Sequence, residues 1–306
     1  MHDRNYRLKV IAAFAVVYVV WGSTYLAIRI GVHDMRPGLL AGIRFIIAGL
    51  VIIGLSRGLG QTLPRLRADW FLILLMALLM IVIGNGVVTW AEQWVESNQA
   101  ALLIASSAFW TAWFGTFGKR GHKLTTRAKL GLLSGFVGVA FILAPEAGYN
   151  PRYFWAQMAI LISPIAWSAG TIFSRSRDIA TAPLMMAGWQ MFAGGVALLA
   201  IGIAAGELKS VSWSVAGVGA LVYLTVFGSC LAYATYIWLI NHTTPDKLAT
   251  IAYVNPAVAT LLGWWLLDET LGRPQFLGML IIIISVFVVA GAPRSSPKET
   301  QAVARS

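Results

Sequence analysis

Charge, cysteine and histidine are all scarce in this chain of 306 residues. Only 11% of the residues are charged, against about 25% in an ordinary soluble domain, so a water-soluble globular reading fails. A single cysteine, Cys230, excludes any intrachain disulfide. The four histidines, His2, His33, His122 and His242, fall at chain ends or between apolar runs. Neither a His-Glu-x-x-His pattern nor paired Asp residues within an apolar run occurs, so an integral membrane enzyme has nothing to work with. A Gly-rich loop ending in Gly-Lys-Ser/Thr is missing too, which leaves nucleotide-driven transport unsupported. Of the twelve carboxylates, none lies deep in an apolar run. Glu92 comes nearest, whereas Glu96, Asp268 and Glu269 read as outer-loop residues. Proton coupling needs an ionisable group at membrane depth. For a chain that moved a solute, either Glu92 would supply that group, or weak coupling, exchange or uniport would stand in its place.

What the chain has in abundance is apolar length. It is 58% hydrophobic with a mean hydropathy of +0.74. Runs of about 20 residues, long enough for a bilayer core of about 30 Å, recur throughout. They lie at roughly 8–29, 37–56, 69–90, 97–118, 127–144, 153–173, 183–205, 213–240, 247–267 and 273–291. The first reads as a retained span, because no small-residue cleavage site follows it. The expected fold class is therefore an all-α integral membrane protein with ten transmembrane helices.

The net charge of +11 invites a nucleic-acid partner, but loop distribution explains it better. Of the 23 Lys and Arg residues, five (Arg29, Arg36, Arg152, Lys209, Arg273) fall on the segments of one side, and Arg44 falls within a span. The remainder fall on the other side, together with both termini. Basic residues collect on cytoplasmic loops. Both termini are therefore expected in the cytoplasm of a bacterial inner-membrane, multi-pass protein.

An internal repeat is visible at an offset of 146: Trp21 meets Trp167, Arg29 meets Arg175, Pro37 meets Pro183, Gly42 meets Gly188 and Gly49 meets Gly195. At 143, Trp70 meets Trp213 and Gly86 meets Ser229; at 148, Ala101 meets Ala249 and Gly115 meets Gly263. The expected organisation is a first five-helix repeat over 1–146, a second over 147–292 and a polar cytoplasmic tail over 293–306. Five helices per copy invert the second relative to the first. "KRGHKL" (119–124) is basic where the equivalent "LDETL" (267–271) is acidic. Inverted repeats mark secondary transporters, with a substrate site at the midplane seam.

Several residues are candidates for that seam. "VIGNGVVTW" (82–90) is expected to break the third span at Gly84 and Gly86, and "FGSCLAYATY" (227–236) the eighth. Pro256, within "YVNPAV", should bend the ninth. In "WGSTYLAIRIG", Trp21 and Tyr25 share one helix face, and Ser23 and Thr24 offer hydroxyls or allow close packing. Thr89, Trp167 and Tyr253 join this set. Asn85 and Asn255 either line the cavity or bond between helices, since an unpaired amide in hydrocarbon is costly. Arg44, seven residues beyond Pro37, should face the bundle; it contacts an anion such as a substrate carboxylate, or helix-end carbonyls. Arg29 reads as a structural or gating residue. Trp70, Trp155 and Trp213 suit an interfacial belt, and Trp110, Trp113, Trp264 and Trp265 suit lipid-facing or packing positions.

The stretches "WGSTYLAIRIG", "AGIRF", "GNGVVTWAEQ" and "AYVNPAVATLLGWWLLDETL" resemble, in order and spacing, the EamA branch of the drug/metabolite transporter superfamily over about 10–291. The resemblance implies two inverted five-helix halves around a central cavity. It also implies export of amino acids or other small metabolites, with no cofactor or metal. The family's proline in the ninth helix matches Pro256, and its following acidic residue matches Glu269. The first half departs, with Ala108 and Gly121 at the equivalent positions, so the likeness does not extend a gating role equally to both halves. The expected partners are a small-molecule substrate and the lipid bilayer, not nucleic acid, and a monomer suffices. A channel-like, exchange or uniport conduit for metabolites or drugs is the alternative on the same fold.

Overall fold

The computed structural model describes residues 2–117, 125–143, 151–175, 180–243 and 250–290, and among them every regular element is helical. The basic segment 119–124, the tail 293–306 and the side chains of Tyr253 and Arg175 lie outside the described residues. In chain order the helices are α1 (His2–Asp34), α2 (Pro37–Gly58), α3 (Arg67–Met76), α4 (Val87–Ala91), α5 (Ser97–Ile104), α6 (Ser107–Phe114) and α7 (Thr126–Ile142). They continue with α8 (Pro151–Ile160), α9 (Ile162–Arg175), α10 (Pro183–Ala204), α11 (Val215–Tyr223), α12 (Ala232–His242), α13 (Ile251–Leu267) and α14 (Arg273–Ala290).

Six helical rods are long and apolar enough to cross a bilayer: Tyr6–Asp34, Pro37–Gly58, Arg67–Ala91, Pro151–Ser174, Pro183–Ala204 and Val215–Leu239. Val254–Leu267 and Arg273–Ser285 are shorter apolar helices. The run at 97–118 is two short helices, α5 and α6, with a turn between Ile104 and Ser107.

The third and eighth runs differ from expectation. They are not broken at their glycines. α3 passes into α4 through a π-helical stretch, Ala77–Gly86, and α11 into α12 through another, Leu224–Leu231. The wider i→i+5 turn absorbs the irregularity without ending the rod. Asn85 assists, since its amide donates to the Met80 carbonyl five residues back at 2.8 Å. Pro256 likewise sits inside a continuous α13.

Positions that the offset of 146 pairs in the sequence behave alike. Pro37 and Pro183 each occupy the first turn of their helix, where the missing N–H costs nothing. After each helix, Gly60 (φ 77°) and Gly206 (φ 75°) adopt the left-handed conformation that glycine tolerates and that stops a helix. These two helices pack closely against each other. Gly42 meets Leu199 and Gly195, Gly49 meets Phe192 and Gly188, and Gly38 meets Gly202. Rising numbers on α2 face falling numbers on α10, so the pair is antiparallel. α7 and α14 are antiparallel in the same way, with Gly138 against Gly278 and Ile282 and a 2.8 Å bond between Ser134 and Ser285.

The outward surface is apolar. Trp113, Trp155, Trp213, Trp264 and Trp265 are exposed, as lipid-facing and belt residues would be. Trp70 instead meets Trp189 edge-on at 4.9 Å.

Candidate functional site

α1 is the central post. Gly22 lets it close onto α13, because any Cβ there would lie 2.6 Å from the Val258 Cβ and 3.1 Å from the Asn255 carbonyl. One face of α1 then addresses the π-helical part of the α11–α12 rod. Trp21 donates its indole N–H to the Gly228 carbonyl at 3.1 Å, and its ring lies 4.9 Å from Tyr236 and 6.4 Å from Tyr233. The methyl of Thr24 also touches Gly228. The hydroxyls of Ser23 and Thr24 turn back to their own helix, donating to the carbonyls of Val20 (2.9 Å) and Trp21 (2.6 Å). Ser23 also bonds Tyr223. Their small size serves packing, and their polarity is satisfied locally.

Arg44 reaches the same spot from α2. It is 5% exposed, its Nε donates to the Ser229 hydroxyl at 2.8 Å, and its guanidinium lies 4.6 Å from the Phe45 ring. Its terminal nitrogens make no hydrogen bond to a described residue. Trp21 and Thr24 from α1 and Arg44 from α2 thus converge on Gly228–Ser229.

Opposite them, the α3–α4 rod carries Asn85 and Thr89. Thr89 donates to the Asn85 carbonyl at 2.9 Å. Trp167 on α9 packs on this rod, beside Gly84 and Ile81, and Ser163 donates to the Gly84 carbonyl. Tyr25 turns toward a separate apolar cluster around Ala91, Leu102 and Phe109. Asn255 is buried, and its side-chain oxygen has no donor.

One end of the bundle holds a charged group that the sequence shows only in part. Glu92 is fully buried and neither carboxylate oxygen accepts a hydrogen bond. Arg29, Arg44 and Glu269 all lie within electrostatic reach of it. Arg29 donates to the backbone carbonyl of Glu92 rather than to its carboxylate.

Glu269 lies in a loop, as expected, but is buried there, being 6% exposed. Its Oε1 accepts from the Ser97 N–H at 2.8 Å, and its Oε2 accepts from the Ser97 hydroxyl at 2.8 Å and the Asn98 N–H at 3.1 Å. A carboxylate from the loop after α13 therefore caps the first turn of α5, where free N–H groups favour an anion. The left-handed Asp268 (φ 54°) turns the chain back to make this possible, and Gly263 leaves room for it. Nearby, Gln99 accepts from Tyr153 and from Gln157 (2.6 Å). The Gln99 group was not singled out by pattern, whereas Glu269 was marked by the resemblance and Ser229 as the repeat partner of Gly86.

The profile of the EamA-like transporter family matches residues 8–144 and again 154–291. The chain belongs to that family. It is a membrane transporter and not an enzyme. An inner membrane transporter from Escherichia coli (strain K12), YedA, itself uncharacterized, is 36% identical over 284 residues, covering 92% of this chain and 90% of its own. The uncharacterized transporter YoaV of Bacillus subtilis (strain 168) is 22% identical, covering 92% and 96%. A crystal structure sharing 19% identity superposes with a TM-score of 0.64 over 92% of this chain and 96% of that one, which is a likeness of fold.

Proposed function

We propose that the protein is a secondary transporter that exports amino acids or related small metabolites across the inner membrane by alternating access. Two five-helix halves, 1–146 and 147–292, insert with opposite sense, both termini are cytoplasmic, and substrate binds in a central cavity between them. Three observations support the inverted arrangement: the double match of the family profile, the paired Pro37/Pro183 and Gly60/Gly206 helix ends, and the antiparallel α2–α10 contact. Inner-membrane placement follows the description of the 36%-identical relative.

One observation carries the substrate reading. Arg44 is a buried cation at the seam whose terminal nitrogens have no acceptor in the described protein. A guanidinium so placed is costly unless an anion completes it, and a carboxylate fits its two-pronged geometry. Trp21 and Trp167 supply apolar walls. Asn85, Thr89 and Asn255 supply polar ones, Ser23 and Thr24 serve helix packing, and Arg29, Glu92 and Pro256 serve coupling or gating.

The test is counterflow in liposomes loaded with a panel of amino acids and amines. Saturable, trans-stimulated uptake of a carboxylate-bearing substrate is expected, and Arg44→Ala removes it. Flux that rises linearly without saturation assigns a channel-like conduit instead, and equal flux in Arg44→Ala removes the carboxylate role.

A further inference from the structure

The connection between α2 and α3 brings cations and leucines together in one short stretch, "RGLGQTLPRLR" (57–67). The chain leaves α2 through an ordered turn. The Gly60 N–H donates to the Arg57 carbonyl at 2.9 Å and the Gln61 N–H to the Ser56 carbonyl at 3.0 Å, the paired bonds that close a helix on a left-handed glycine. Arg57 braces the turn by donating to the Gln61 carbonyl at 3.1 Å. Pro64 is buried, and α3 begins at Arg67. The connection is therefore fixed in shape.

Its outward face is both apolar and cationic. Leu59, Leu63 and Leu66 are 71%, 45% and 53% exposed, and Arg57, Arg65 and Arg67 are exposed beside them. Arg65 and Arg67 make no hydrogen bond or ion pair with a described residue. The next carboxylate along the chain, Asp69, is buried and accepts from the Thr181 hydroxyl at 2.5 Å. Clustered exposed leucines mark a contact surface, and unpaired arginines do not sit in hydrocarbon. The membrane–water interface accommodates both, with apolar side chains in the acyl boundary and guanidiniums among the headgroups.

The turn that the offset of 146 pairs with this one differs in charge. Gly206 repeats the left-handed conformation of Gly60, but Ile203, Val211 and Trp213 stand in place of Arg57, Arg65 and Arg67. Glu207 folds back there and accepts from the Leu39 N–H at 3.0 Å. Because α2 and α10 are antiparallel, the two turns lie at opposite ends of the bundle, and the arginines belong to one end only.

We infer that the 57–67 connection is a docking surface for anionic phospholipid. Arg65 and Arg67, with Arg57, hold headgroup phosphates, and Leu59, Leu63 and Leu66 enter the acyl boundary. Three cations whose neighbouring carboxylate is engaged elsewhere favour a headgroup of net negative charge over a zwitterionic one. The inference rests on the proposed topology only in naming the leaflet, which is the cytoplasmic one.

The probe is phosphatidylglycerol, with phosphatidylcholine as the zwitterionic comparison, and binding to the full-length protein is read by native mass spectrometry. Phosphatidylglycerol is expected to bind more tightly. Each arginine near a lipid surface is worth about fivefold, so Arg65→Gln/Arg67→Gln weakens phosphatidylglycerol binding by about tenfold or more. Arg127→Gln/Lys129→Gln removes two exposed cations from α7 instead and leaves that affinity within about twofold, since screening confines the effect to nearby charges. In a second measurement, a spin label on Thr62→Cys in a Cys230→Ala background is placed in nanodiscs. It is shielded from a water-soluble relaxation agent in phosphatidylglycerol and becomes accessible in Leu59→Ser/Leu63→Ser. Equal affinity for the two lipids, unchanged binding in Arg65→Gln/Arg67→Gln, an equal loss in Arg127→Gln/Lys129→Gln, or a label open to water in phosphatidylglycerol overturns the inference. Shielding that appears without lipid and grows with protein concentration overturns it too, and assigns the face to a second copy of the chain. Nanodiscs expose both leaflets to the same lipid and no flux is read, so this surface and the transport reading can each fail alone.

Discussion

Arg44 on α2 and Ser229 in the π-helical stretch between α11 and α12 are joined by a 2.8 Å hydrogen bond across 185 positions of sequence. The bond fixes a buried cation where the first half of the chain meets the second. Its consequences are testable at each partner. Arg44→Ala removes the cation, and transport of anionic or zwitterionic substrates falls by about ten- to a hundredfold, equivalent to about 1.5–3 kcal/mol for a hydrogen bond to a charged group. Ser229→Ala leaves the charge in place but unanchored, so the loss is smaller and appears as a raised KM. Parallel flux measurements in inverted vesicles check both, with thermal unfolding to show that each variant is folded.

Glu269 ties the loop after α13 to the first turn of α5 through three hydrogen bonds. Glu269→Ala strips an anion from a helix N-terminus and leaves two N–H groups and a hydroxyl without their acceptor. Hydrogen bonds to a charged group are worth about 1.5–3 kcal/mol, and the expected outcome is a clearly lowered melting temperature in detergent. Glu269→Gln keeps one acceptor and costs less. A melting temperature unchanged in both variants would show that the cap carries no net stability.

The α2–α10 seam has no room for side chains at its glycines. A Cβ at Gly42 would lie 2.6 Å from the Leu199 nitrogen, and one at Gly195 2.6 Å from the Ile46 nitrogen. Both obstacles are backbone, which cannot rotate away. Gly42→Leu or Gly195→Leu therefore separates the helices and destabilises the protein by about 1–3 kcal/mol or more, whereas Gly54→Leu, with nothing within 4 Å, is neutral. Size-exclusion profiles and melting curves of the three variants test the contrast.

Much of this architecture is legible in the sequence, and the illegible parts have identifiable causes. The offset of 146 pairs Gly42 with Gly188 and Gly49 with Gly195, which states equivalence. Contact pairs Gly42 with Gly195 and Gly49 with Gly188 instead, because α2 and α10 lie antiparallel. Gly84 and Gly86 read as a break because glycine lowers helix propensity. The rod persists because a π turn and the Asn85–Met80 bond accommodate it. The burial of Glu269 is illegible because hydropathy is blind to one left-handed residue, Asp268, at the turn that precedes it. The split between α5 and α6 leaves no mark in an apolar run, since composition records burial and not continuity. Arg44 was legible for the opposite reason: a charge inside an apolar run is costly enough to demand a partner.

Glu92 provides the remaining prediction. Its carboxylate is fully buried, accepts no hydrogen bond and is balanced only at a distance by Arg29 and Arg44. A buried charge without donors is unfavourable, and replacing it with a neutral group of the same shape removes that cost. Glu92→Gln should therefore hold or raise the melting temperature, the opposite of Glu269→Gln. If Glu92 is the ionisable group that couples transport to protons, the same variant abolishes the dependence of flux on an imposed pH gradient while substrate counterflow, which needs no gradient, continues. The assay is flux at fixed substrate with and without a pH step across the liposome. Gradient-driven flux that persists in Glu92→Gln removes Glu92 from the coupling path, and a melting temperature that falls shows its carboxylate to be held by the structure rather than left open for a proton.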